Sequence, residues 1–108
     1  MSKLFVAAIL LNVAIAVGAQ ELPTLRLIIK DGRFQPEVLK APANTKFKLV
    51  LKNDGTAPEE FESEELRKEK VLAPGAESFL IFQPLKPGTY KFFGEFHPKT
   101  AQGRLFVE

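Results

Sequence analysis

Pro87-Gly88-Thr89-Tyr90-Lys91-Phe92-Phe93-Gly94-Glu95-Phe96-His97, closed by Gly103-Arg104-Leu105-Phe106-Val107, is the stretch that decides the fold. The Pro-Gly pair is turn chemistry, and Thr89–Phe93 is the aromatic and β-branched run of a short strand. Gly94 follows, then a loop that carries the only histidine of the chain, then a glycine and a last alternating strand. Turn, strand, loop and strand in this order form the end of an all-β domain.

Working back from that end, the apolar period stays at two. Leu25, Leu27 and Ile29 are interleaved with Arg26, Ile28 and Lys30, and Phe47, Leu49 and Leu51 with Lys46, Lys48 and Lys52. Ser78–Phe82 and Arg104–Val107 have the same character. Turn chemistry separates the segments: Asp31-Gly32, Ala41-Pro42-Ala43-Asn44, Asn53-Asp54-Gly55, Pro74-Gly75 and Pro87-Gly88. Short strands at this spacing predict an antiparallel Greek-key β-sandwich of seven to eight strands. Phe47, Leu49, Leu51, Phe61, Tyr90, Phe92, Leu105 and Val107 are its expected interior. The segment from Pro58 to Lys70 breaks the pattern, holding six of the thirteen acidic residues. Glu64 and Lys68 stand at the i,i+4 spacing of a helical turn, and a solvated charged connection between strands is the plainer reading.

The beginning of the chain is read separately. Lys3 precedes an apolar run from Leu4 to Val17, and Val17-Gly18-Ala19 offers small residues before Gln20. This is the pattern of a cleaved secretory signal, and the run is shorter than the roughly 20 residues a membrane span needs. Residues 1–19 are therefore expected to be a signal peptide and 20–108 one exported domain. Without Lys3 the 15 basic residues become 14, against 13 acidic ones. That balance excludes a nucleic-acid binder, which needs a basic stripe to neutralise phosphates. There is no cysteine, so no disulfide can staple the domain, and a phenylalanine-rich core must hold it.

Taken together, Phe34-x-Pro36, Ala41-Pro42-Ala43-Asn44-Thr45, Leu49-x-Leu51-x-Asn53, Leu72-Ala73-Pro74-Gly75, Leu85-x-Pro87-Gly88-x-Tyr90-x-Phe92 and Gly103-x-Leu105-x-Val107 resemble a cupredoxin-like domain of the EfeO type, found in bacterial periplasmic iron-transport systems. The resemblance runs across residues 20–108. It also shows what is missing. A blue-copper site takes two imidazoles, a thiolate and often an axial methionine. His97 matches one imidazole, but the other falls on Glu59, the cysteine on Gly94 and the methionine on Ala101. No blue-copper centre is expected.

Carboxylates stand where those ligands are lost. With Phe61 pointing inward, Glu60 and Glu62 share the opposite face of an extended segment. The resemblance implies acidic ligands at these two positions and near Glu69, and Glu95 lies two residues before His97. The candidate metal site is therefore His97 with Glu60, Glu62, Glu69 and Glu95, a donor set for iron or copper as a hard or borderline cation. The alternative is a set of surface charges that keeps an edge strand soluble. Little else fits. Only Ser63 and Ser78 remain as serines after Ala19, so Ser63 with His97 is the one hydrolytic pairing left.

Two functions follow. One is a periplasmic metal-handling protein of iron or copper uptake, assisting ferrous oxidation for a membrane iron permease, with ferrous oxidase-type activity left open. The other is a metal-free sandwich that docks to a periplasmic or membrane partner.

Overall fold

The structure, a computed structural model, describes residues 21–108. The expected signal segment 1–19 lies outside the described residues. Nine strands are formed among them: β1 (Thr24–Lys30), β2 (Arg33–Gln35), β3 (Val38–Ala41), β4 (Phe47–Asn53), β5 (Glu59–Ser63), β6 (Lys68–Leu72), β7 (Glu77–Phe82), β8 (Gly88–Phe93) and β9 (Gln102–Val107). They make two sheets, ordered β2-β1-β4-β7 and β3-β9-β8-β5-β6. The architecture is the expected sandwich, with one strand more than the alternation suggested. Two pairings, β1 with β4 and β3 with β9, run parallel, so both sheets are mixed.

Alternation decides the core. Leu27 and Ile29 of β1, Phe47, Leu49 and Leu51 of β4, Phe61 of β5, Phe92 of β8, and Leu105 and Val107 of β9 are all buried. The two inner faces thus close on each other through apolar side chains, whose burial is the dominant favourable term in folding, with Asn53, Glu59 and Ser63 as buried polar residues toward the ends of β4 and β5. Phe34, Phe61 and Phe92 form one aromatic cluster, with Phe92 5.0 Å from each of the other two centroids. Tyr90 is only half-buried; its hydroxyl donates to the Lys86 carbonyl at 2.7 Å, a corner bond that ties β8 to the turn before it.

Two turns bear on the site. Asp31 and Gly32 both have positive φ, 51° and 74°, which is the type I′ geometry of a two-residue hairpin joining β1 to β2. The acidic segment contains no helical turn. Phe61 lies at the centre of a buried strand that pairs with β6, so β5 and β6 form a hairpin, and Glu64–Arg67 is its connection, closed by Arg67 N–H to the Glu64 carbonyl at 3.2 Å. Burial of Phe61 outweighs the few tenths of a kcal/mol that an i,i+4 ion pair would contribute.

Candidate metal centre

β5 distributes its acids by direction. Glu59 points inward beside Phe61, while Glu60 and Glu62 point to the outer face of the five-stranded sheet. The inward acid is 1% exposed. Its Oε2 accepts the Gly32 N–H at 2.8 Å, and its Oε1 lies 3.1 Å from His97 Nδ1. The ring of His97 rests against Gly32, where a Cβ would come within 2.8 Å of His97 Cγ. Thr100 closes the arrangement by donating to the Gly32 carbonyl at 2.6 Å. The hairpin turn, the start of β5 and the β8–β9 loop are thereby clasped at one end of the sandwich. The contact between Glu59 and His97 Nδ1 sets the orientation of the ring.

The outer face carries a second acidic group. Glu62 stands directly opposite Glu69 in the β5–β6 ladder. Glu95 is brought alongside because its own N–H donates to Glu60 Oε1 at 2.7 Å. Glu60, Glu62, Glu69 and Glu95 each place a carboxylate oxygen within 4.8 Å of the other three. Of the five residues singled out in the sequence, the structure brings these four together. His97 does not join them; it is engaged with Glu59 instead. Glu59 was matched to a lost imidazole position, but its inward partnership depends on contacts made 27 and 38 residues away. Ser63 takes no part in a hydrolytic pair: it is buried, and its hydroxyl accepts the Leu66 N–H at the far end of β5.

The geometry does not fit a blue-copper centre. A Cβ on Gly94 would lie 2.8 Å from the Glu60 carbonyl oxygen and 3.0 Å from Ala101 Cβ, so the cysteine position is closed by backbone. Ala101 is fully buried and offers no donor. The four-carboxylate group, by contrast, is a set of hard oxygen donors, three on strands β5 and β6 and one, Glu95, on the loop after β8, suited to a cation that prefers oxygen.

Electrostatics support that reading. Glu60 is 1% exposed, and its pKa is raised from 4.5 to about 7. Burial is the main cause; hydrogen bonding with Glu69 and Glu62 and the negative charge of Glu62 add to it, against the Glu95 N–H, which favours the ionised form. The folded protein therefore holds this proton across an interval in which the unfolded chain has released it. The contribution is fully present below pH 4.5 and lost as pH rises through about 7. For metal-free protein, Tm relative to Glu60→Gln is expected to fall as the pH is raised through that interval. A difference that grows instead would contradict the burial of this carboxyl.

Three comparisons bear on this geometry. The family model described as Cupredoxin-like domain matches residues 3–107. The uncharacterized protein RP394 of Rickettsia prowazekii is 42% identical over 83 residues, 77% of this chain, and the chain spans 66% of that relative's length. Among solved structures, a purple cupredoxin from Nitrosopumilus maritimus superposes with a TM-score of 0.60 at 22% identity, covering 78% of this chain and 99% of that one. The metal binding domain of the Streptococcus pneumoniae Cu(I) exporting P-type ATPase CopA, solved with Cu(I), superposes with a TM-score of 0.66 at 16% identity, over 79% and 84%. At these identities the likeness to the solved structures is one of fold.

Proposed function

The chain belongs to the cupredoxin-like domain family, and on that footing we propose that it is an exported metal-handling protein whose cation is held by Glu60, Glu62, Glu69 and Glu95. The observation that carries this reading is the convergence of four carboxylates, two of them directly opposed in a ladder where like charges are destabilising. A cation between them turns that repulsion into attraction. One neighbour in fold, the CopA metal binding domain, was solved with Cu(I), which adds a general precedent for metal in this fold.

The donor set narrows the cargo. Oxygen ligands without thiolate favour iron, manganese or Cu(II) over Cu(I), and they favour the more highly charged ion of a redox pair. That preference suits iron handling in which the ion is held in its ferric state and delivered to a membrane permease from the periplasm. A second reading, a metal-free docking module, has one observation in its favour: Phe96 and Val71 are 47% and 55% exposed beside the carboxylates.

Titration of the purified protein with Fe(II), Mn(II) and Cu(II) distinguishes the two. One equivalent of at least one metal is expected to bind, with affinity rising with pH because the carboxylates must be ionised. The copper form should show no intense blue colour. Failure of all three metals to bind stoichiometrically would leave the docking module standing.

A further inference from the structure

The outer face of the same sheet carries a second like-charge pair, of the opposite sign. Lys91 on β8 stands directly opposite Arg104 on β9, and both are exposed. Two cations facing each other across a ladder destabilise it unless an anion lies between them. Among the described residues the only ion pairs within 4.0 Å are Lys52 with Asp54 and His97 with Glu59. The side-chain cations of Lys91, Arg104, Arg33 and Lys99 therefore have no carboxylate within that distance; the one carboxylate bonded to Lys91, Glu65, accepts its backbone N–H at 3.1 Å.

These four basic side chains line one open cavity of about 740 Å³, whose lining includes a single acid, Glu37. Glu37 meets Arg104 through its backbone, accepting the Arg104 N–H at 2.8 Å. The volume is that of a small-molecule site. Arginine presents a planar fork of donors matched to carboxylate, and lysine adds an orientable point charge. Phe93 contributes an apolar wall.

The groove adjoins the acidic group. Gln102, Phe93, Glu62 and Glu69 are consecutive partners across β9, β8, β5 and β6, so they form one row on the outer face. Phe93 belongs both to this row and to the cavity lining, and neighbouring strands are about 5 Å apart. A ligand in the groove thus ends one strand away from Glu62.

We propose that this groove binds a small polycarboxylate and, resting on the metal reading above, that the cation reaches the four glutamates as its polycarboxylate chelate. Free carboxylates of the chelator sit on Arg104 and Lys91, and its metal faces Glu62. Phosphate offers similar charge but no chelating backbone to span the two halves, so the groove should discriminate against it.

Citrate and inorganic phosphate are the probes, titrated into purified protein stripped of metal on a chelating resin and followed by amide chemical shifts and calorimetry. Citrate alone is expected to saturate one site, shifting Lys91, Phe93 and Arg104. Affinity should fall at least tenfold in Lys91→Gln/Arg104→Gln, whose Tm should not fall because both side chains are exposed. Glu62→Gln/Glu69→Gln should retain metal-free citrate binding but lose the tighter binding of ferric citrate that the wild type shows. Absence of saturable citrate binding, or phosphate binding as tightly as citrate, overturns the inference while leaving any binding of metal alone intact. Citrate binding in a protein that binds no metal would keep the groove and overturn the metal reading and the chelate with it.

Discussion

Phe92→Ala is expected to destabilise the domain by about 3–5 kcal/mol, the loss typical of removing a buried aromatic ring. Phe92 is 3% exposed and lies 5.0 Å from both Phe34 and Phe61, edge-on to one and tilted on the other. Its cross-strand partner is Gly103, and a Cβ there would collide with the Phe92 ring and approach the Glu37 carbonyl oxygen to 2.8 Å. The ring therefore fills the space a side chain on Gly103 would occupy. For a domain of this size Tm should drop by about 4–8 °C per kcal/mol. Phe106→Ala, at a ring 37% exposed on the outer face of β9, is the control and should stay within about 0.5 kcal/mol. A Phe92→Ala variant as stable as this control in urea denaturation would mean that the two sheets are not packed through this ring.

The second large effect is on metal affinity, and it should run opposite to stability. Glu69→Gln removes one of two like charges that face each other across the β5–β6 ladder, so the metal-free protein should gain about 0.2–1 kcal/mol. The same change removes a direct ligand and should weaken binding by on the order of 100-fold, at or beyond the upper limit seen when only outer-shell partners are lost. His97→Ala should show the reverse. It leaves the four carboxylates in place but strips the buried Glu59 of one of its two partners, costing about 1–3 kcal/mol with little change in affinity. Glu64→Ala, in the exposed β5–β6 connection, should alter neither. Calorimetric titration and thermal melts of the same samples separate these outcomes. If His97→Ala abolished binding while Glu69→Gln did not, the cation would belong at the His97 end of the sandwich instead.

Much of this was legible in the chain itself because short-range physics determines it. A period of two marks which side chains of β1, β4, β8 and β9 face inward, and Asp31-Gly32 and Pro87-Gly88 mark turns through their local backbone preferences. The pairing of Glu60 with Glu62 on one face also follows from alternation around Phe61. The loss of a thiolate needs only the absence of cysteine.

Tertiary structure decided the rest, because it depends on which strands become neighbours and in what register. Alternation along β1 or β3 is the same for parallel and antiparallel partners, so the parallel pairings with β4 and β9 left no local trace. Only the β5–β6 register sets Glu69 against Glu62, and only the bond from Glu95 N–H to Glu60 draws the fourth carboxylate in. His97 lies two residues from Glu95 in sequence, yet it turns to Glu59, since a buried carboxylate without a donor would cost more than an exposed one. The facing of Lys91 by Arg104 likewise arises from β8–β9 register alone. Residue types determined which chemistry was possible; the alignment of strands, driven by burial of the phenylalanine core, determined which charges met.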